Sequence, residues 1–425
     1  MATRNSPVLP PYIPPRVQLN RPSATEVNRT ENTKQTLTYS GYNEVVPIVY
    51  GEQIVGGPII AGPVISANKR FTFAVAVCYG GTEGIERFEH ITLNDMTFPL
   101  PAITSPNSGT ETSPNVYTIV RIYDGRQTAP DALLVSLIDN FNDVFPGVAY
   151  AVIQTRQSDE LFSPAATVEI RIKGRKCFDP RDDTTAWTEN PSLHLRDFVT
   201  NTVFGLGRNI VGINAAADIN DEEWTFEPRA RSGLCIQDAD TEQDILALLT
   251  TYAEVLYGYD GDDIIVVPDA KVTAPVAVIP LSSIVAGSLR LTGVGQSQIP
   301  TDIRVDYTDR STEPWTTTGE TVSVPAYQLG DAPRSTSTLT LPGIYRQNEA
   351  ARRAQQRLSR LQRPGRIAWQ MMADGLPYQA GDVVRVPAHK GLNDVDVRLL
   401  LSPEMISPGV WQLSGEIYSN DDYPS

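Results

Sequence analysis

Hydrophobic and polar positions alternate over short stretches of this chain, as they do in half-buried β-strands. Between Phe71 and Tyr79 the larger side chains occupy every second position, with smaller ones between them. A period of two puts these two sets on opposite faces of a strand. Residues 45–50 and 59–65 are rich in β-branched side chains, which favour a pleated surface, and the Gly-Gly-Pro at 56–58 is typical of a turn. We therefore predict strands in all three stretches.

The strand pattern continues towards residue 174, with one polar interruption and one short helix. Residues 104–115 are polar with nothing to bury, so a loop is expected there. Residues 131–141 carry leucines and an isoleucine at helical spacing, which predicts a short helix. The remaining predictions here are two strands around a turn at Asn94-Asp95 within 85–100, one strand at 147–154 and one at 166–174.

Helical spacing becomes prominent after residue 180. Asn190 is a candidate N-cap and Pro191 suits the first helical position, where its missing N–H costs little. The apolar positions that follow predict a helix that Gly205 can end. A second helix is predicted at 242–255, followed by a hairpin that turns at Asp260-Gly261.

An arginine-rich segment at 346–363 also has helical spacing. Ala350, Ala354, Leu358 and Leu361 share one face, and the rest of the surface carries arginines: Arg352, Arg353, Arg357, Arg360 and Arg363. One interpretation is nucleic-acid binding. We favour an amphipathic helix covering a sheet, with its arginines solvated or paired with carboxylates, because the chain as a whole is acidic.

These elements predict a mainly β fold with an α+β insertion. The proposed division is as follows: an extended arm at 1–44, rich in Pro, Asn, Thr and Ser; a β-rich, barrel-like domain at 45–179 with an inserted subdomain at about 85–165; an α+β domain at 180–285; and a second β-barrel-like domain at 286–425 with one packing helix at 346–363.

Charge and cysteine content narrow the functional classes. The 425 residues carry a net charge of −15, which argues against a protein that grips nucleic acid, since phosphate binding needs a basic surface. The start of the chain lacks the apolar core of a secretory signal, and no membrane span is expected. Three widely spaced cysteines, Cys78, Cys177 and Cys235, indicate synthesis in a reducing compartment with thiols in cores.

No motif for catalysis or cofactor binding stands out. The three histidines, His90, His194 and His389, are scattered, and His194 is expected to pack within its helix. The glycine turn at 56–58 leads into a strand and not a helix, so it does not fit a phosphate-binding loop. We predict no catalytic, cofactor-binding or metal-binding residues, no cofactor and no enzymatic activity. Counting alone leaves a carboxylate pair for glycoside hydrolysis open, since Asp and Glu total 50.

The most distinctive block is residues 168–207. A strand there ends in Gly174-Arg175 and Asp179-Pro180. Further along come Trp187, Asn190-Pro191, Arg196-Asp197 and Gly205-Leu206-Gly207. With the Tyr-Gly and Gly-Gly at 50–57, the sequence YGYDGDDIIVVPD and the later QAGDVVRV, this block resembles the hub part of the J-type host-specificity family of lambda-like tailed bacteriophages. The resemblance extends over about residues 45–390.

This resemblance implies the structural hub of a phage tail tip or baseplate, with tail-tube-like β-barrel domains. Such a hub is a homotrimer that closes the distal end of the tail tube and anchors fibre or tip proteins. Its expected partners are the distal tail or tail-tube ring, other tail-tip and fibre proteins, the tape measure protein, and DNA only in transit. The expected location is the virion tail tip, with assembly in the host bacterial cytoplasm.

One departure from the family limits what can be transferred. J-type proteins continue into fibronectin-like and receptor-binding regions, whereas this sequence stops at residue 425, so receptor recognition is expected from a separate protein. The arm at 1–44 is a candidate docking strap, by strand addition or extended binding. Two alternatives remain open: a tail-associated cell-wall hydrolase and a receptor-binding tip protein.

Overall fold

The structure is a computed structural model. It describes residues 45–66, 70–93, 96–103, 109–115, 118–156, 168–224, 226–237, 241–293, 299–325, 328, 333–363, 365–373, 377–388 and 393–423. The predicted arm at 1–44, the turn at Asn94-Asp95 and His389 lie outside these residues. No helix among the described residues is long and apolar enough to cross a membrane. The chain is mainly β with a few helices, as the sequence predicted.

The first region of the chain is built from two sheets that share an apolar core. One sheet has the order β3-β4-β9-β8-β7, and the other has β11-β10-β5-β6 with β2 also paired to β10. The elements are β1 Ile48–Tyr50, β2 Glu52–Val55, β3 Ile59–Ile65, β4 Arg70–Tyr79, β5 Ile85–Leu93, β6 Met96–Pro99, β7 Thr110–Asn115, β8 Thr118–Asp124, α1 Ala132–Leu137, β9 Val148–Arg156, β10 Val168–Asp179 and β11 Thr184–Trp187. We call β2–β11 with α1 the first sandwich.

Side-chain alternation decides how the first sandwich packs. Val75 and Ile153 from one sheet meet Phe88 and Ile170 from the other in the shared core. The small residues of β4 point the other way, where Ala74 packs with Leu134 of α1. Because α1 covers this outer face, β4 is buried on both sides along most of its length.

The loop prediction for residues 104–115 is wrong in its second half. Thr110–Asn115 is an edge strand paired with β8; residues 104–108 lie outside the described part. An edge strand needs a partner for only one of its edges and can expose alternate side chains to water, so its polar sequence shows no apolar face. The pairing comes from β8 and not from any signal within the segment.

The middle of the chain combines helices with small sheets. The elements are α2 Pro191–Thr200, β12 Ile210–Val211, α3 Ile213–Asp221, β13 Glu223–Trp224, β14 Glu227–Pro228, β15 Leu234–Ile236, α4 Glu242–Ala253, β16 Val255–Asp260, β17 Asp263–Pro268, β18 Ala277–Val278, β19 Arg290–Thr292, β20 Asp302–Asp309, β21 Thr316–Ser323, β22 Thr336–Thr340 and α5 Gln347–Leu361. Strand β1 pairs with β15 in this region and not with the first sandwich.

Two helices start where the sequence predicted them. The Asn190 side chain accepts a hydrogen bond from the Ser192 N–H, with Pro191 at the first helical position. Thr241 and Asp244 form a reciprocal capping box at the start of α4. The end of α2 differs from the prediction: the helix stops at Thr200, because the Asn201 side chain accepts from the backbone N–H groups of Val203 and Phe204 and holds a turn there.

One large core runs through the middle of the chain. Its members include Tyr50 of β1, Phe198 of α2, Leu249 of α4, Val305 of β20 and Ala354 of α5. Helix α5 packs on β20 and β21, and its Arg353 donates to the Thr251 and Tyr252 carbonyls at the end of α4. This packing crosses the boundary that we drew between residues 285 and 286; the domain division itself stays a prediction.

The last region is a seven-stranded sheet, which we call the C-terminal sheet. Its order is β18-β24-β25-β27-β23-β19, with β26 also paired to β27. Ile367, Trp369, Val397 and Leu413 are fully or almost fully buried in its core. Its remaining elements are β23 Arg366–Met372, β24 Val383–Val386, β25 Val395–Leu399, β26 Glu404–Ser407 and β27 Val410–Tyr418.

Candidate functional site: buried polar clusters that join the regions

Histidine and cysteine side chains often take part in catalysis, but His194 and Cys78 are buried and packed against other side chains. His194 is fully buried, stacks on Tyr50 with ring centroids 4.9 Å apart, and contacts Ser232 and the Thr188 carbonyl through its two ring nitrogens. Burial lowers the pKa of His194 to about 4. Burial likewise raises the pKa of the Cys78 thiol to about 12, which leaves it without the thiolate that a nucleophile needs.

Acidic residues are concentrated at 221–223 and 260–263, where they have local structural roles. Asp260 and Asp263 flank the turn of the β16–β17 hairpin, and Asp221 pairs with Arg181 and Arg231. Among the described residues, no group of three or more His, Cys, Asp or Glu side chains could hold a metal ion. The notable polar arrangements are instead clusters of arginine and carboxylate that link distant segments.

The first such cluster is formed by the distinctive block at 168–207. Arg175 of β10 donates to Asp197 of α2 at 2.7 Å, and the Tyr50 hydroxyl of β1 donates to the same carboxylate at 2.8 Å. Trp187 donates from its indole N–H to the Gly51 carbonyl at 3.2 Å. The motif residues therefore tie the opening strand to the first sandwich and to α2.

Glycines in this block allow backbones to approach closely. A Cβ at position 174 would lie 2.1 Å from the Val49 carbonyl oxygen, and one at position 205 would lie 1.8 Å from the Phe198 carbonyl oxygen. Both distances are far below van der Waals contact, so only glycine fits. Gly205 is therefore required by the packing of the segment after α2 and not by the end of the helix.

Helix α5 supplies the second cluster, which we call the Glu254 cluster: Arg229, Glu254, Glu349, Arg352 and Arg353. Glu254 follows α4 in a left-handed conformation with φ of 53°. Its carboxylate accepts from Arg352 at 2.8 Å and contacts Arg353 at 3.2 Å. Arg353 also donates to Glu349 and to the Tyr252 carbonyl, both at 2.8 Å.

The arginines around Glu254 favour the ionised form of its buried carboxylate. Burial disfavours the ionised carboxylate, but Arg352, Arg353 and Arg229 outweigh it and hold the pKa of Glu254 well below its usual range. Arg352 is only 2% exposed. Arg352 and Arg353, two of the arginines that we predicted as solvated or paired, are thus paired with carboxylates and buried.

The third cluster joins α5 to the C-terminal sheet. We call it the Asp269 cluster: Asp269, Arg360, Arg398 and Tyr423. Asp269, just after β17, accepts from Arg360 of α5 at 2.7 Å, from Arg398 of β25 at 2.8 Å and from the Tyr423 hydroxyl at 2.7 Å. One carboxylate thus fixes three segments from different parts of the chain.

A fourth arrangement connects the first sandwich to the segment before α5. The Arg171 guanidinium lies 4.8 Å from the Trp315 ring centroid, and Arg310 lies 4.6 Å from Trp315 and 4.0 Å from Tyr345. The Tyr345 hydroxyl donates to Glu189 at 2.7 Å. Such cation–π contacts are worth about 2 kcal/mol when desolvated, so the alternating stack stabilises this junction.

These clusters hold segments in fixed positions; they do not bring a nucleophile and a base together. A buried ion pair contributes little net stability over an apolar pair, but loss of one partner leaves a buried charge. The sequence analysis missed the clusters, because α5 contains only one of their carboxylates, Glu349; the others come from residues up to about 100 positions away, such as Glu254. The arginine excess on one amphipathic helix of an acidic chain was the only signal.

Part of the chain matches a known sequence family. Residues 241–399 match the family model described as "Putative phage tail protein". The matched stretch runs from α4 to β25 and includes the Asp269 cluster except Tyr423. No curated protein matches the sequence.

The fold is shared with a chain of a solved particle titled "Virion of native gene transfer agent (GTA) particle". The likeness has a TM-score of 0.62 at 13% identity and covers 94% of this chain and 93% of that one. A 43 kDa tail protein of prophage MuSo2 from Shewanella oneidensis matches at 13% identity over 90% of this chain and 100% of that one, with a TM-score of 0.36. A tail protein from Neisseria meningitidis MC58 matches at 8% identity over the same shares, with a TM-score of 0.39. The last two scores are too low to indicate a shared fold.

The predicted resemblance agrees, at the level of phage tail proteins, with the family match at residues 241–399, which does not include the block at 168–207. The sequence match is with a phage tail family, and the shared fold is with a chain of a gene transfer agent virion. The identity as a J-type hub stays a prediction.

Proposed function

We propose that this chain is the structural hub of a phage-type tail tip or baseplate. Three copies close the distal end of the tail tube and anchor fibre or tip proteins, and they leave a channel for the tape measure protein and DNA. The observation that carries the proposal is the fold shared with a chain of a gene transfer agent virion over nearly the full length of both chains. The family match at 241–399 supports the same assignment.

The physical character of the molecule suits such a role. A hub needs fixed positions between its parts, and the Glu254 and Asp269 clusters fix segments of the middle of the chain relative to one another and to the C-terminal sheet. A net charge of −15 disfavours adhesion of DNA during passage. Short strands with open edges are suited to ring formation, because neighbouring subunits can cover those edges.

The first experiment measures the mass of the purified full-length chain by light scattering and locates the chain in intact particles by electron microscopy. We expect a trimer, or a monomer in solution that occupies three equivalent positions at one end of the tail. A chain that is absent from particles, or present with another symmetry, would overturn the proposal.

Two activity assays address the alternatives. Zymography on bacterial peptidoglycan is expected to show no clearing, and clearing would favour the cell-wall hydrolase. Purified chain is expected not to bind intact host cells, and saturable binding would favour the receptor-binding tip.

A further inference from the structure

The β13–β14 hairpin carries an exposed aromatic side chain at its tip. Trp224 lies opposite Glu227 in the register, so Phe226 lies in the two-residue turn between the strands. Phe226 is 95% exposed, more than any other large apolar residue in the described part of the chain. A single exposed apolar residue is ordinary on a protein surface, so exposure alone does not define a site here.

The backbone of Phe226 is a second, independent observation. Its φ of 65° lies in the left-handed region, which bulky side chains rarely adopt. The β16–β17 hairpin also turns through two residues, and there Gly261 takes the left-handed conformation with φ of 61°. Glycine would be the ordinary residue at position 226 as well. Strained backbone positions of this kind concentrate at sites that contact ligands or partners.

The base of this hairpin is held in place by its neighbours. The Arg229 N–H donates to the Glu222 carbonyl at 2.8 Å. Arg346, the residue before α5, donates to the Pro228 carbonyl at 2.6 Å, and its guanidinium lies 3.7 Å from the Glu227 carboxylate. The tip is thus presented on a fixed support, so that binding through it costs little conformational entropy.

The charge around the tip limits which partner fits it. Residues 221–227 include four carboxylates and no basic side chain. Asp221 and Glu227 pair with arginines, whereas Glu222 and Glu223 are exposed and form no ion pair within the described residues. An apolar side chain flanked by two such carboxylates complements an apolar pocket with a basic rim. The same carboxylates repel DNA phosphates, anionic lipids and a second copy with its net charge of −15.

We propose that the β13–β14 hairpin is a docking site, and that Phe226 enters an apolar pocket with a rim of Lys or Arg on a different virion protein. Aromatic side chains in desolvated pockets often dominate the binding free energy of an interface. Burial of Phe226 in the complex offsets the strain and the exposure that it has in the free chain. The proposal rests on the hub function, because a hub attaches neighbouring tail or fibre proteins.

The first test is Phe226→Gly in the full chain, added to extracts that contain the other tail proteins but lack this chain. Electron microscopy measures the chain concentration that gives half of the maximal yield of complete particles. We expect roughly thirtyfold more of the variant to be needed, as for loss of a dominant interface residue. Its urea unfolding midpoint should be equal or higher, since glycine adopts the left-handed φ without strain.

The matched control is Val203→Ser, which removes another exposed apolar side chain, 70% exposed. This control should leave the required concentration unchanged. A lower unfolding midpoint of Phe226→Gly with normal assembly would make Phe226 a structural residue and overturn the proposal. An unchanged required concentration for Phe226→Gly would overturn it as well.

A cross-link identifies the partner. Phe226 is replaced by the photoreactive p-benzoylphenylalanine, intact particles are irradiated, and mass spectrometry locates the adduct. We expect one adduct, on a different virion protein, at a segment where apolar residues adjoin Lys or Arg. The same amino acid at position 203 should not give that adduct. An adduct with a second copy, with DNA or with lipid would overturn the proposed partner, and no adduct would overturn the docking site.

A charge test addresses the basic rim. Glu222→Gln with Glu223→Gln should raise the chain concentration needed for assembly and weaken its dependence on NaCl, since salt screens this attraction. Asp260→Asn with Asp262→Asn is the matched control, because it removes two exposed carboxylates from the β16–β17 turn, which has no apolar side chain. Equal effects of the two pairs would overturn the basic rim.

The failure of this contact and the failure of the hub give different results. Particles with three copies at the tail end that form equally well with Phe226→Gly would overturn the docking site and leave the hub standing. Absence of the unaltered chain from particles would overturn the hub and, with it, this contact.

Discussion

Between the two sheets of the first sandwich the core residues are apolar, with Val75, Phe88 and Ile170 almost or fully buried. At the same depth around α5, buried Arg352 and Arg353 surround Glu254. Apolar packing is non-directional and tolerates small shifts. Charged hydrogen bonds hold only in one geometry. The apolar core of the first sandwich thus contributes mainly stability, whereas the Glu254 cluster fixes the position of α5.

The largest expected effect on stability comes from removing one charge from the Glu254 cluster. Glu254→Gln keeps the size of the side chain but leaves Arg352 buried without its carboxylate, while Arg353 keeps only Glu349. We expect a loss of about 3–5 kcal/mol in the free energy of unfolding, as measured for broken buried ion pairs. Urea-induced unfolding followed by circular dichroism measures it.

The matched control is Asp396→Asn, which breaks the more exposed Arg385–Asp396 pair. That change should cost at most about 1 kcal/mol. Equal losses of unfolding free energy in the two variants would contradict the distinction between the buried Glu254 cluster and ordinary surface ion pairs.

The next largest effect should appear as a pH dependence of the middle core. His194 is neutral when folded, with a pKa of about 4, whereas an unfolded histidine has a pKa of about 6.5. Below pH 6.5 the unfolded state binds a proton that the folded state does not, so stability falls as the pH is lowered and levels off near pH 4. The shift corresponds to about 3 kcal/mol.

Urea unfolding at pH 7, 5.5 and 4.5 tests this, with His194→Gln as the variant that cannot titrate. We expect the pH slope to flatten in His194→Gln and to persist in His90→Gln, a histidine on β5 outside this core. An unchanged slope in His194→Gln would place the titrating group elsewhere.

A further test of the comparison replaces the charged pair of Glu254 and Arg352 by apolar residues. Glu254→Leu combined with Arg352→Met removes both charges and keeps similar volume. We expect the double variant to be more stable than Glu254→Leu alone by about 2 kcal/mol, because it no longer leaves Arg352 buried without a carboxylate. In both variants Arg353 keeps Glu349 and Arg229 loses its partner. A double variant as unstable as the sum of its singles would show that the geometry of the pair has no role.

The smallest effect is expected in the apolar core of the first sandwich. Ile170→Val removes one buried methylene-sized group and should cost about 0.5–1.5 kcal/mol. The same unfolding measurement checks it, with the exposed Val203→Ala as control. A loss as large as that of Glu254→Gln would contradict the tolerance that we attribute to this core.

Local signals predicted a helix or strand well where the residues that determine it lie within the same segment. Asn190 with Pro191 marked the start of α2, and the Asp260-Gly261 turn marked the β16–β17 hairpin. Prediction failed where a distant partner decides. Thr110–Asn115 is a strand because β8 pairs with it, and Gly205 is needed because the Phe198 carbonyl approaches it closely.

By itself, the sequence determined the mainly β class, most strand positions, two helix starts and the resemblance to phage tail proteins, because periodicity, caps and motifs act over a few neighbouring residues. Only the tertiary structure decided which carboxylates meet the arginines of α5, that β1 pairs with β15, and which strand edges of the C-terminal sheet are left exposed. These features depend on contacts between residues up to about 190 positions apart, such as Ile48 and Ile236, and no local pattern encodes them.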